Sequence, residues 1–454
     1  MLPFLFPLVV MIGGMTASTD SRLRTLFIDK LLGIERHEYV AVAWSFAYFF
    51  CILSSYYIIR PVRETMAVGS GPQTIPYLFV GTFVAMIFAT SIFGWVASRF
   101  PRRVFLPWVY LFFTANIAIF WVLFSQAVDS GNSTVWLGRA YFVWVGVFNL
   151  FIVSVFWSFM ADIYTREQGR RLFGVISAGG SIGALLGGIG TSAVVTTIGT
   201  HNLLPIAGVL LLLSVVCITQ LRKWIISEHE DEISQTAASD KPLGGSAFAG
   251  ITHMLSSKYF SAIAVTSLIA STLGAALYMF AAELVAVEIP DPDEQTRFFS
   301  NMNVAANLMT VMFQAFAVKH VVQRFGIGRA LVLMPVVSAI GFTLLAMDPV
   351  LAVVAILTIA RRAVGFGFSK PSTDMLYSVV TPEEKYKTKN FIDTAIYRGG
   401  DVIGTWLIKS MSAIGIAGIS LVMVPIAIYW AFVSLWLGRD YKRKAKALKL
   451  SGVE

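Results

Sequence analysis

YVAVAWSFAYFFCILSSYYIIRPVRET, residues 39–65, is an apolar run that ends in charge. From Tyr39 to Ile59 it carries no ionisable group other than tyrosine and cysteine, a length of about 20 residues that spans a bilayer core as a helix. Arg60, Arg63 and Glu64 follow, three and four residues apart, so a continuing helix puts them on one face. Charged groups at membrane depth are costly unless they meet partners or water, and the reading that follows is a functional site. The other reading is that the helix ends at Arg60 and these residues anchor in the headgroups.

The composition puts the rest of the chain in the same solvent. Of 454 residues, 56% are hydrophobic and 13% charged, with a mean hydropathy of +0.72. A soluble protein carries about 25% charged residues. This is a polytopic, all-α membrane chain. The net charge of +9 then reflects cytoplasmic loops rather than a nucleic-acid surface. Cys51 and Cys217 sit in separate apolar runs, and the five histidines are scattered, so no disulfide framework, metal site or cofactor is expected.

Hydropathy gives twelve spans: 39–68, 75–96, 104–126, 135–163, 174–198, 203–221, 261–287, 299–320, 330–346, 350–379, 390–411 and 415–437. The expected organisation is an N-terminal cytoplasmic segment (1–38), a six-helix half (39–221), a polar linker (222–258), a second six-helix half (259–437) and a basic tail (438–454). Residues 1–15 are apolar but too short to span, and they lack the basic start of a signal peptide.

With the amino terminus inside, the cytoplasmic segments hold 26 of the 35 lysines and arginines, and the outer loops 127–134, 199–202 and 347–349 hold none. This charge bias predicts an even number of spans with both termini on the cytoplasmic side. The exceptions are Arg60, Arg63, Arg139, Arg297, Arg361, Arg362, Lys370, Arg398 and Lys409. Arg297 lies among Asp291, Asp293 and Glu294 in an outer loop and reads as bland; most of the rest lie within spans or at their ends.

An internal repeat crosses the linker. Arg99-Phe100 and Arg103 after span 2 answer Arg324-Phe325 and Arg329 after span 8. Thr165-Arg-Glu167 answers Thr381-Pro-Glu383, and Gly179-Gly180 answers Gly399-Gly400, at offsets of 225, 216 and 220 residues. Two six-helix halves in parallel resemble the layout of major facilitator transporters. In the loops after spans 2 and 8 the aspartate usual in that superfamily is replaced by Ser98 and Gln323. Their basic residues, Arg99, Arg103 and Arg324, are expected to latch the inner gate. The Gly179-Gly180, Gly183 and Gly187-Gly188 series of span 5 predicts close helix packing.

Span 10 places Arg361 and Arg362 roughly 17–18 Å below its outer end. Span 11 brings Tyr397, Arg398 and Asp401 to similar depth, with Arg398 three residues from Asp401. Cations converging from spans 1, 10 and 11 would attract an anion, and the acids could neutralise them or carry protons. Lys370, Asp374, Asp393 and Asp162 are candidates for a gate or for ion pairs that hold helices together. Asn301, Asn303, Asn307 and Gln314 on span 8 could line a polar path. The nucleotide-binding loop of an ATP-driven pump is absent, and no nucleophile–base set has persuasive spacing, so an enzyme is not expected.

The run Glu384-Lys385-Tyr386-Lys387-Thr388-Lys389-Asn390-Phe391-Ile392-Asp393 is similar to the K-x-K-x-x-I-D run of the ATP/ADP translocases of plastids and intracellular bacteria. Arg60-Pro-Val-Arg63-Glu64-Thr65 resembles their R-x-x-K-[DE]-T, and Phe156-Trp157-Ser-Phe159 resembles their fourth helix. The chain looks closer to free-living bacterial relatives of that family. The resemblance implies exchange of nucleotides across a membrane without a cofactor, with Arg63 in place of a phosphate-binding lysine. Two departures stand against ATP. Arginine is not a point charge, and Asp401 stands where a lysine is expected, with Arg398 one turn earlier. The expectation is a monomeric secondary transporter, working by alternating access on an anionic organic or phosphorylated solute, with nucleotide exchange (antiport) among its forms. The alternatives are proton symport of another solute, such as a sugar acid, peptide or siderophore, and a lipid scramblase.

Overall fold

The computed structural model describes residues 34–99, 102–228, 257–317, 326–381, 384, 388–389 and 391–450. Among them the chain is all helix and turn, with no strand. Twelve rods follow the twelve apolar runs. They are α1 (Tyr39–Gly69), α2 (Ile75–Arg99), α3 (Arg102–Asp129), α4 (Val135–Ile163), α5 (Arg166–Ile198), α6 (Leu203–Glu228), α7 (Lys258–Glu288), α8 (Pro292–Met312), α9 (Ile327–Met347), α10, α11 and α12 (Gly415–Leu450). α10 is built of Leu351–Val364, a π-helical turn Gly365–Ser369 and Lys370–Leu376; α11 is a π-helical turn Ile392–Ile396 followed by Tyr397–Ser410. α8 also continues into a π-helical turn, Phe313–Ala317.

Ten helices among the described residues are long and apolar enough to cross a membrane. α8 and α11 fall outside that set because of the charged and polar residues they carry. Asp293, Glu294, Arg297 and three asparagines lie on α8; Asp393, Arg398, Asp401 and Lys409 lie on α11. Both are packed among the others, α8 against α1, α5 and α10, and α11 against α7 and α2.

Four boundaries differ by seven residues or more from the hydropathy reading. α5 begins at Arg166, α8 begins at Pro292, α6 runs to Glu228 and α12 runs to Leu450. Each extension carries charged residues, and hydropathy does not register helix propensity. The amino-terminal residues 1–33, linker residues 229–256 and Arg324 lie outside the described residues, as does the side chain of Arg103.

The buried apolar side chains fall into two large clusters. One draws on residues from Ile34 to Trp224, on α1 and α3–α6. The other draws on α7–α12 and takes in Val68 and Ile75. The repeat acquires a physical form in the helix ends. Thr165 caps α5, accepting from Gln168 N at 3.3 Å while its own N–H donates to Gln168 Oε1 at 3.0 Å. Thr381 makes the same box with Glu384: its N–H donates to Oε2 at 3.1 Å and its Oγ1 accepts from Glu384 N at 3.4 Å. The working partner is therefore the residue three positions on, one beyond Glu167 and Glu383.

The glycines repeat as well. A Cβ at Gly179, Gly183 or Gly187 of α5 would strike the backbone oxygen of Phe46, Phe50 or Ser54 on α1. Gly400 and Gly404 of α11 stand equally close to Leu268, Ser271 and Thr272 on α7. Small residues at these positions let two backbones touch.

Candidate substrate site and closed end

α1 continues through Pro61 to Gly69, so the charges of its last third lie inside the bundle and not at its rim. Arg63 Nη2 donates to Glu64 Oε1 at 2.7 Å, and Arg60 Nε stands 3.8 Å from the same oxygen. The side chains are 21%, 17% and 8% exposed for Arg60, Arg63 and Glu64, which makes this an interior cluster. Aromatic faces complete the shell. The Arg63 guanidinium sits 4.9 Å from the Phe142 ring, and Arg60 lies 5.9 and 5.8 Å from Tyr56 and Tyr57. Tyr278 of α7 packs its ring 6.4 Å from Phe142.

The two adjacent arginines of α10 part company. Arg362 donates to Asn303 Oδ1 of α8 at 2.5 Å and lies near enough to Arg60 for the two charges to repel. Arg361 turns the other way and is only 4% exposed. Its guanidinium donates to Ser338 Oγ of α9 and to the Ala270 carbonyl of α7 at 3.0 Å, and lies 5.8 Å from the Trp430 ring. Arg361 is thus held in helix packing and is not brought to the central cluster.

α11 supplies the other wall. Asp401 accepts from Ser271 Oγ of α7 at 2.5 Å and pairs with Arg398 at 3.5 Å. Arg63, Arg398 and Asp401 line one narrow cavity, with Asn149, Phe142 and Thr82. Tyr397 is 44% exposed, and its backbone carbonyl accepts from Ser271 Oγ at 2.7 Å.

Charge is left over here. Arg60, Arg63 and Arg362 face one carboxylate, Glu64, while Arg398 has Asp401. Arg60 Nε, Arg63 Nε and Glu64 Oε2 are buried without a hydrogen-bond partner. Buried polar atoms are rarely left so.

The candidate gate residues sort by position. Lys370 pairs with Asp374 at 3.5 Å and Asp393 at 2.8 Å, and Lys389 holds Asp374 at 2.8 Å. These bonds tie α10 to α11. Asp162 is exposed at the end of α4, and Arg99 is exposed with its guanidinium 4.7 Å from the Trp95 ring. Bonds between the N-terminal and C-terminal six helices gather at the opposite end. Asp293 Oδ1 accepts from Thr200 N and Oγ1, both at 2.7 Å. Thr296 Oγ1 lies 2.9 Å from Thr200 Oγ1 and 2.7 Å from Thr65 Oγ1. Ser192 donates to Asn301 at 2.7 Å, and Lys409 donates to the Gln73 carbonyl at 3.1 Å with its ammonium 4.3 Å from the Tyr77 ring.

Sequence reasoning missed Asp293 as a tie, because acids in an outer loop read as solvated. It also missed Asn149, a lone amide in the apolar run of α4 that could have been singled out, and Tyr278 and Ser271, which carry no signal in sequence.

Comparison with known proteins agrees with this architecture. The family description Major Facilitator Superfamily matches residues 44–405. ADP,ATP carrier protein 1 of Chlamydia trachomatis is 20% identical over 471 residues, spanning 89% of this chain and 88% of that protein. ADP,ATP carrier protein 2 of Chlamydia pneumoniae is 20% identical over 509 residues, 94% of this chain and 92% of that protein. Among solved structures, a bacterial homologue of the iron transporter ferroportin in an inward-facing state superposes with a TM-score of 0.62 at 14% identity, covering 89% of this chain and 98% of that one. The nucleoside transporter NupG superposes at 0.58 with 17% identity, covering 91% of this chain and all of that one.

Proposed function

The chain belongs to the Major Facilitator Superfamily, and we propose that it moves an organic anion, nucleotide-like or otherwise phosphorylated, by rocking two six-helix halves about the central site. One observation carries this reading: the interior holds Arg60, Arg63 and Arg362 against the single carboxylate of Glu64, with two guanidinium nitrogens making no hydrogen bond. Two positive charges in excess, away from bulk water, favour a ligand that brings negative charge with it. Arginine forks suit phosphate or carboxylate oxygens in pairs. Arg63 and Arg398 would hold the ligand from opposite walls of the cavity, and Arg362 would reach it from α10. Glu64 would neutralise Arg63 when the site is empty.

The weak similarity to the chlamydial ADP,ATP carriers supports nucleotide exchange as the first form to test. The ties at the Thr200–Asp293 end favour a state open at the opposite end, which is inward-facing if both termini are cytoplasmic and the protein sits in an inner membrane. Asp401 on the cavity wall supports a second reading, proton-coupled symport of another anion.

The experiment is uptake of radiolabelled ATP into proteoliposomes that are empty or preloaded with ADP. Uptake that requires internal ADP is the result expected of exchange. Arg63→Ala should lower kcat/KM about tenfold to a hundredfold, the worth of a charge-assisted hydrogen bond of about 1.5–3 kcal/mol. Absence of uptake by folded protein in either condition rejects the nucleotide, and a pH-gradient screen of other anions then follows.

A further inference from the structure

A second concavity lies far from the central site, on the outer wall of the bundle between α7 and α12. It is an open groove lined by Lys258, Ala262, Val265, Tyr429, Phe432 and Trp436, among others. The helices pass each other in opposite directions here, α7 contributing Lys258 to Val265 and α12 contributing Tyr429 to Trp436. Tyr429 is 56%, Phe432 66% and Trp436 39% exposed.

The stripe does not stop at the groove. Tyr429, Phe432 and Trp436 are spaced three and four residues apart, and the same spacing continues to Arg439 and Arg443. One face of α12 thus changes from aromatic to cationic within two turns, beside Lys258 at the start of α7. Lys258 and Arg439 are exposed and make no ion pair among the described residues. Arg443 is bound loosely, 3.7 Å from Asp440, and is 77% exposed. Lys444 lies 5.2 Å from the Tyr259 ring, which fixes the basic end of α12 against the first turn of α7.

We infer that the α7–α12 groove is a binding site for one anionic phospholipid, with its phosphate held by Lys258 and Arg439 and an acyl chain laid on Phe432 and Tyr429. The complementarity is two-part. A soluble anion has no use for three exposed aromatic rings, and an uncharged lipid has no use for unpaired cations at their end. Tryptophan and lysine at this height match the membrane–water boundary, where both side chains reach a headgroup from an apolar stem. The site is independent of what is transported.

The test uses the full chain in detergent micelles, titrated with brominated phosphatidylglycerol or brominated phosphatidylcholine. Quenching of Trp436 is read as the difference between the native protein and Trp436→Phe. Phosphatidylglycerol should half-quench at a concentration well below phosphatidylcholine. Lys258→Ala with Arg439→Ala should raise that concentration roughly thirty-fold, at about 1 kcal/mol per cation, and erase the preference. Lys223→Ala, an exposed cation of α6 at the same end of the bundle, should change nothing. Equal quenching by the two lipids, or a double variant that keeps its preference, would overturn the site. Displacement of the lipid by millimolar inorganic phosphate would make it a phosphate site and overturn the lipid.

Discussion

Arg361 and Arg362 differ by one position and do different work. A helix turns about 100° per residue, so one guanidinium faces α9 and α7 while the other faces α8 and the central cluster. From sequence the pair reads as two cations at one depth, and nothing in the run says which face looks inward. Only the packing of Ser338, Ala270 and Trp430 around Arg361 decides it. Arg361→Ala should therefore lower stability by about 2–4 kcal/mol, through the cavity and the stranded partners it leaves. Transport per folded molecule should keep its KM. Arg362→Ala should leave stability within about 1 kcal/mol and lower uptake at least tenfold. Thermal unfolding in detergent beside proteoliposome uptake separates the two; equal losses in both assays would refute the division. By contrast, Arg63 and Glu64 were legible, because charge on one helical face at the end of a membrane-length apolar run is too costly to persist without a function or a partner.

Among the elements, α5 best shows how sequence becomes contact. Its glycines four apart predict a close approach, and the approach is to α1, where Gly183 meets the Phe50 carbonyl and Ser54 Oγ donates to the Gly183 carbonyl at 3.1 Å. Gly183→Ala should force the helices apart at a cost of about 1–3 kcal/mol, as overpacking does elsewhere. Gly190, on the same helix with nothing within 4 Å of its Cβ position, should accept alanine with no loss. Unfolding of the two variants side by side checks this, and a tolerant Gly183→Ala would mean the contact is looser than its geometry. The far side of α5 was not legible. Gly188 touches α8, through Val304 and a bond from Ser300 Oγ to its carbonyl at 2.8 Å, so one helix packs on its own half and on the other. Sequence predicts that small residues pack but does not name the partner.

For the whole molecule, the fold could be read because bilayer length, charge bias and the repeat agree, and each reports on a different physical constraint. The spans that hydropathy served least well are α8 and α11, whose charged and polar residues lower their hydropathy. The closed end was invisible in sequence, because most of it is hydroxyls, one amide and one acid that come together only when α1, α5 and α8 pack. It makes a direct prediction. In a Cys51→Ser, Cys217→Ser background, Ser192→Cys with Asn301→Cys should be joined by a short thiol cross-linker, since the native side chains are 2.7 Å apart. Cross-linking should stop transport, and a cleavable linker should restore it on reduction. Transport that continues with the link intact would show that this end need not open.

The π-helical turns of α8, α10 and α11 carry a consequence for how such a molecule moves. Each is a place where a helix holds one residue more than its pitch calls for. The turns at Phe313–Ala317 and Gly365–Ser369 touch, with Phe313 and Phe368 rings 5.3 Å apart and Gln314 Nε2 donating to the Phe366 carbonyl at 3.2 Å. The third, Ile392–Ile396, contains Asp393, which holds Lys370 just past the second. Among the described residues, α1 to α6 contain no such turn. A surplus residue can slip along its rod one place at a time, swivelling everything beyond it without breaking the rod. Among the described residues, the six helices after the linker thus store slack at the end away from the Thr200–Asp293 ties, and the six before it do not. Two halves alike in topology are mechanically unlike: a stiff jaw, and a jaw with give in it.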